Sequence, residues 1–474
     1  MANGLKERIH YALQDARLHD AVRRAVDHMK NQKKAAEPQI PYEAFRERAR
    51  EIRNHTEAHL DYYLGLFAEN VRKNGGQVHF CQSGAEAVDT VQRIALRRHA
   101  KSIVKSKSMV TEELHLNHAL QDQGIEVIET DLGEYIIQLD GETPSHIVGP
   151  SLHKTKEQVA KRFTEIAGKE IPSDPHALTA FARKVLRQKF LHSDIGISGC
   201  NFAIAETGSI SLFTNEGNAR MVTTLPPVHI AVMGMERILP CLADLEVFMN
   251  LLPRAATGQK LTSYVTLISG PRQGLEVDGP EEFHVVIVDN HRNNLLGDEY
   301  QEALNCIRCG ACLNACPAFR HTGGHAYGSV YSGPIGIVIS PLLNEHDTAI
   351  QELPYDCSVC GACAEACPVK IPLPDMIVRL RNRNVRRGLT PRTERMAFTQ
   401  FGIVFSDAKK YKIVLKTGRA LQKFVSKNGR IDAKLPGLSG WTSSRSLPQV
   451  AKTTFREWVQ NGLLEQLKKE QGGK

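Results

Sequence analysis

No stretch of this sequence approaches the ~18 consecutive apolar residues of a membrane-spanning helix. The N-terminal MANGLKERIHYALQDARLHD has no apolar core between a basic start and a small-residue cleavage site, so a secretory signal is not expected either. The compartment these absences imply is a reducing cytoplasm, at most with a peripheral association at the membrane. Low-complexity tracts are missing, and 42% hydrophobic with 24% charged residues is an ordinary balance for a folded chain, which excludes disorder. Neither a flavin nor an NAD fingerprint is present: no GxGxxG follows a first strand, and GGHAYG lies between two cysteine runs, the wrong context. Aromatic residues are few, 6% overall with two Trp, and sparse among the basic residues of the tail. That argues against a stacking platform for single-stranded nucleic acid.

What the sequence does contain is cysteine in a pattern. Eight of its eleven cysteines fall in two runs of the form C-x2-C-x2-C-x3-C-P, CIRCGACLNACP (Cys306, Cys309, Cys312, Cys316) and CSVCGACAEACP (Cys357, Cys360, Cys363, Cys367). This is the ligand spacing of paired [4Fe-4S] clusters. Three close cysteines wrap one face of a cubane, and the fourth, turned away at the proline, ligates the other cluster. Cys306, Cys309 and Cys312 are thus expected to share a cluster with Cys367, and Cys357, Cys360 and Cys363 with Cys316. Equivalent cysteines are 51 residues apart throughout, an internal duplication. Zinc is the competing reading, but zinc ribbons use two separated C-x2-C pairs and need neither the third close cysteine nor the proline. Cys81, Cys200 and Cys241 stand apart in apolar surroundings, where a thiol is a small core residue.

A chain of 474 residues exceeds one core. Helical periodicity marks 1–65 as amphipathic helices packing on a larger body. From Gly75 short apolar strands alternate with helices, QVHFC, SIVKS and IEVIET first, and FAIAET, SISLFT, MVTTLP, HIAVMG, YVTLIS and HVVIVD later. The pattern implies an α/β region, 66–294, with an open, mostly parallel sheet. A mostly helical cysteine region follows at 295–385, and then a helical region at 386–474. The net charge of +8 conceals an asymmetry, because residues 371–474 carry 22 Lys and Arg against 7 Asp and Glu. A solvated helical surface, an anionic partner protein or membrane face, and nucleic acid are the readings of that excess, the last disfavoured by the scarce aromatics.

Open parallel sheets bind ligands at the carboxyl ends of their strands. Thr207, Gly208 and Ser209 in AETGSISL are a candidate anion loop at such an end, as is SGP at 269–271; a ligand-free tight turn is the alternative. Glu129, Asp131 and Glu134, in an acidic loop after IEVIET, together with His146 are candidates for a general base and a carboxylate- or metal-binding group. His321 and His325 are candidates for hydrogen bonds that tune a cluster, and Trp441 and Arg445 for a partner anchor.

Taken together, SKSMVTEE (106–113), ETDLGEYIIQL (129–139), PSHIVGPSLHK (144–154), AETGSISLFTNEGNAR (205–220), the cysteine runs joined by GGHAYGSVYSGPIG, and LPGLSGWTSSRSLP in the tail resemble the lactate utilisation protein B family over nearly the whole chain. The resemblance implies an isomerase/CoA-transferase-like α/β domain followed by a helical two-cluster ferredoxin domain. It implies electron transfer in the oxidation of L-lactate to pyruvate, with two partners, one cysteine-rich and one built mainly of the same α/β domain. An iron-sulfur subunit of another 2-hydroxy-acid, glycerol-phosphate or succinate oxidising complex is the nearest alternative. A metabolite-binding α/β enzyme or sensor with redox clusters is a third.

Overall fold

Residues 77–288 hold ten strands: β1 Gln77–Cys81, β2 Ser102–Lys105, β3 Glu126–Glu129, β4 Ile195–Ser198, β5 Phe202–Ile204, β6 Ser209–Thr214, β7 Val228–Gly234, β8 Ile238–Leu239, β9 Tyr264–Ile268 and β10 Glu282–Val288. This is a computed structural model; it describes residues 4–431, 442, 445–451, 453–463, 465, 467 and 469. Six strands make one parallel sheet in the order β1-β10-β7-β4-β2-β3. Helices cover both faces, so the central strands are apolar at nearly every position. On one side Ala87, Val91 and Ile94 of the helix Gly84–Arg97 meet Ile103, Ile195 and Val286. On the other, Phe67 and Val71 of the helix Leu60–Lys73 meet Met233, Val285 and Ile287.

The strand order holds a reversal. The chain steps outward from β2 to β3, then returns to place β4 on the opposite side of β2. At such a switch point the crossovers leave on opposite faces and a crevice opens at the strands' carboxyl ends.

Two local readings are corrected by tertiary packing. MVTTLP, expected as a strand, lies in the helix Asn218–Thr224 and the residues just beyond it. Ala219, Val222 and Thr223 are buried at helical spacing, so burial of one helix face overrides the β-propensity of Val and Thr. The helix lies so close to β4 that a Cβ on Gly196 would sit 1.9 Å from the Val222 carbonyl oxygen. β4 itself, IGIS, was not among the expected strands, yet it lies inside the sheet between β7 and β2. β5, β6, β8 and β9 form a second, mixed sheet in the order β8-β5-β6-β9. Phe202 of that sheet packs against Phe248 of the helix Leu242–Thr257 with ring centroids 4.7 Å apart.

The N-terminal helices Ala16–Ala36 and Tyr42–Ala58 share a core with the cysteine region, joining Val22, Val26 and Ile52 to Leu313, Phe319 and Ile377. Their cations satisfy carbonyls at the end of the second cysteine run: Lys33 donates to Ala366 O, and Arg46 to Cys367 O at 2.8 Å and Glu365 O at 3.1 Å. Residues 1–384 form one compact unit and 385–474 a second. The second unit contains the helices Arg392–Phe405 and Ala408–Val425, the latter capped by Asp407, and a small antiparallel sheet. Among the described residues no helix is long and apolar enough to cross a membrane.

Candidate functional site

The two cysteine runs repeat in backbone as well as in sequence. Each ends in a five-residue helix, Ala311–Ala315 or Ala362–Ala366, entered through a left-handed glycine, Gly310 (φ 76°) or Gly361 (φ 85°). Two residues after the first cysteine of each run a non-glycine residue also takes positive φ, Arg308 at 57° and Val359 at 55°. For a β-branched residue this conformation costs energy. The same residues' N–H groups donate to sulfur, Arg308 to Cys306 Sγ at 3.4 Å and Val359 to Cys357 Sγ at 3.3 Å. The Ile371 N–H donates to Cys367 Sγ at 3.4 Å. Amide donors at thiolate sulfur are the means by which a protein stabilises and tunes an iron-sulfur ligand set.

Cys306, Cys309 and Cys312 of the first run line one cavity together with Cys367 of the second, closed by Ile335 and Ile371. Electrostatics divides the eight in the same way. Burial pushes Cys309 up to about 12, with Cys367 and Cys306 adding to it, whereas Cys316, pushed up to about 11 by burial, feels Cys357. Cys363, pushed up to about 12 by burial, feels Cys357 and Cys316. Buried thiols that raise one another ionise when a cation binds among them, so the donor set fits iron. Among the described residues no three His, Cys, Asp or Glu close on a single ion. The two sets differ at one position: each has a half-buried first cysteine, Cys306 or Cys357, but Cys309, Cys312 and Cys367 are all buried, whereas beside the buried Cys316 and Cys363 the second set has Cys360 exposed.

The other expected residues are dispersed. Thr207, Gly208 and Ser209 are not at the carboxyl edge of the parallel sheet. They form the hairpin turn between β5 and β6, where the Gly208 N–H is used by Ile204 O and a Cβ on Gly208 would sit 2.5 Å from the Asn70 backbone. Ser209 Oγ lies 2.8 Å from Ser269 Oγ, so the two hydroxyls partner each other. Asp131 is not in a loop but caps the helix Leu132–Leu139, accepting the Gly133 and Glu134 N–H groups. Glu129 is buried in an ion pair with Lys105 at 2.7 Å. His146 makes no hydrogen bond or ion pair with these acids. Its Nδ1 accepts the Val148 and Gly149 N–H groups and its Nε2 bonds Asn314 Oδ1 at 3.1 Å. Burial lowers it to about 3, so it is a neutral structural histidine. His321 bonds His19, and His325 the Thr143 carbonyl, in place of sulfur. Trp441 lies outside the described residues, and Arg445 is exposed.

The LUD domain matches residues 64–288, a 4Fe-4S dicluster domain residues 302–371, and the C-terminal domain of lactate utilisation protein B residues 380–462. Lactate utilization protein B of Shouchella clausii (strain KSM-K16) is 51% identical, with 95% of each chain covered. That of Bacillus pumilus (strain SAFR-032) is 49% identical over 96% of this chain and 97% of its own. The chain belongs to the lactate utilization protein B family. A crystal structure of a DUF162 family protein from Deinococcus radiodurans, 16% identical, aligns over 48% of this chain and 98% of that one at a TM-score of 0.28. As a member of the family the chain contains an iron-sulfur dicluster domain, and the cysteine geometry above lies within it.

Other residues, unmarked in the sequence reading, surround the first cysteine set. Glu236, just after β7, is buried against Arg292 at 2.8 Å, Arg308 at 3.5 Å and Arg237 at 3.9 Å. Arg237 in turn donates to Cys306 O at 3.2 Å. The only signal in the sequence was charge within apolar surroundings, GMERI and CIRC. Glu134 is a second unusual acid. Burial pushes it up to about 8, with Lys107 at 3.5 Å opposing. A carboxyl raised above its unfolded value favours the native state below ~4.5 and loses that contribution as pH rises through 8. The variant Glu134→Gln should therefore gain in melting temperature over the parent at pH 9 and match it near pH 4.5; equal differences at both pH values would contradict the assignment.

Proposed function

We propose that this chain is the electron-carrying iron-sulfur protein of L-lactate oxidation to pyruvate, acting with partner subunits of the same pathway. The cavity that gathers three cysteines of one run and the last of the other supports this reading, because only crossed dicluster ligation needs that arrangement. The relatives' name supplies lactate as the donor. Two [4Fe-4S] clusters, one held by Cys306, Cys309, Cys312 and Cys367 and one by Cys316, Cys357, Cys360 and Cys363, would supply one-electron redox steps.

The chain's own residues assign the two positions different tasks. In the first cysteine set Cys309, Cys312 and Cys367 are buried, and Arg308 and Arg237 hydrogen-bond to the half-buried Cys306. The second set reaches the surface at Cys360 and is the side open to a redox partner. Residues 385–474 offer a docking surface: Phe398 (67% exposed) and Phe424 (87%) stand on helices of a unit rich in arginine and lysine. Acidic partner subunits fit it by charge; sedimentation with anionic vesicles would expose a membrane role instead. As a carrier, the chain passes on electrons from substrate oxidised on a partner.

Anaerobically purified protein should be brown and contain about eight irons, four per cubane. Its visible absorption should bleach on addition of L-lactate together with the partner proteins. Zinc in place of iron would overturn the cluster reading. Bleaching by glycolate, glycerol phosphate or succinate, and not by lactate, would move the protein to another oxidising complex.

A further inference from the structure

A cavity of about 320 Å³ opens at the switch point of the parallel sheet. Its floor is the loop after β2, Ser106 to Ser108, and the loop after β4, Gly199 to Asn201, which approach so closely that a Cβ on Gly199 would touch Ser108 at 3.0 Å. One wall comes from the first cysteine run, Arg308 and Cys309, with Arg237 beside them. Its position is where open parallel sheets take their ligands.

Three cations line this cavity, and two have donors to spare. Arg308, with 7% of its side chain exposed, carries Nε and Nη1 with no hydrogen-bond partner. Lys107 Nζ is likewise buried without one; its nearest acid, Glu134 at 3.5 Å, is pushed by burial toward its neutral form. Of the acids on the lining, Asp131 is spent on its helix cap, and burial raises Glu216. Unsatisfied buried N–H donors on cations are costly unless an anion arrives. Around them stand neutral hydrogen-bonding groups suited to hydroxyls, Asn201 and Thr214 among them. A volume at the lower end of the ~300–1,000 Å³ of small-molecule sites excludes a dinucleotide.

We propose that this cavity is a binding site for a small hydroxy- or oxo-carboxylate, its carboxylate held between Lys107 and the guanidinium groups of Arg308 and Arg237. Planar guanidinium donors match a carboxylate two bonds at a time. The proposal gives the α/β domain a ligand of its own, placed against the first cysteine set, and it does not depend on where the electrons go.

The test is calorimetric titration of the anaerobic, iron-loaded full chain with L-lactate, pyruvate and inorganic phosphate, using Lys107→Met to remove a spare cation and Thr214→Phe to fill the cavity. One or both carboxylates should bind saturably to the parent, and each variant should bind at least tenfold more weakly with unchanged iron content and visible spectrum. No saturable carboxylate binding up to tens of millimolar, affinity unaffected by both variants, or phosphate bound more tightly than either carboxylate would overturn the proposal. A protein that binds carboxylate but holds no iron would instead remove the carrier reading and leave the site standing.

Discussion

Cys367→Ser should cost the protein about four of its eight irons, and the cluster it loses should be the one built mainly by Cys306, Cys309 and Cys312 rather than by its own run. The expectation follows from the shared cavity of Cys306, Cys309, Cys312 and Cys367. It is sharpened by comparing variants in pairs. Cys309→Ser, 58 residues earlier in the chain, should leave the same residual electron paramagnetic resonance spectrum as Cys367→Ser. Cys363→Ser, only four residues before Cys367, should leave the other spectrum and share it with Cys316→Ser. Uncrossed ligation predicts the opposite grouping, Cys363 with Cys367 and Cys309 with Cys316. Because metal binding contributes directly to folding free energy, the variants that lose the buried cluster should also melt lower than those that lose the exposed one. In the more buried set three of the four ligands, Cys309, Cys312 and Cys367, are covered, so its loss leaves raised thiols in a cavity that nothing fills.

The cysteine constellation was legible in the sequence because its geometry is local: seven residues carry three ligands, and the proline sends the fourth away. The identity of the sheet was legible too, since VHIAVMG and FHVVIV are apolar on both faces and only a parallel sheet covered on both sides buries such runs. Strand order was not. It turns on β4, whose IGIS contains a glycine that strand propensity disfavours. That glycine is explained only by the helix Asn218–Thr224 pressing its backbone onto Gly196, a contact between segments more than 20 residues apart. With β4 unplaced, the rule that ligands sit at strand carboxyl ends pointed to Thr207–Ser209, which proves to be a hairpin turn, instead of to Ser106–Ser108 and Gly199–Asn201. Arg308 was hidden differently, as an unremarked x in a C-x2-C motif. Its buried charge gains meaning only when β7 delivers Glu236 to it.

Glu236 is where the second large effect is expected. One carboxylate, 1% exposed, faces three guanidinium groups from three parts of the chain: Arg237 beside it, Arg292 after β10, and Arg308 of the cysteine run. Burial alone would raise this acid, but Arg292, Arg237 and Arg308 outweigh it and hold it at about 2. The chain makes space for the pairing at Gly234, where a Cβ would lie 2.1 Å from Glu236 Oε2. Arg292 has a second acid, Glu113 at 2.7 Å, whereas Arg308 and Arg237 have no other ion-pair partner among the described residues. Removing the charge with Glu236→Gln therefore strands two buried cations, and breaking a buried pair from one side costs ~3–5 kcal/mol. Denaturant unfolding of the anaerobic protein should show a loss of this order, with the m-value unchanged. The same linkage sets the pH response. The carboxylate's contribution is complete above ~4.5 and is withdrawn as pH falls toward 2, so the gap between parent and variant should close on acidification. The double variant Glu236→Gln, Arg237→Met should recover part of the loss, because a stranded cation has been taken away and the residues share one network. A purely additive double variant would mean that Glu236 acts through packing, and the charge argument would fall with it.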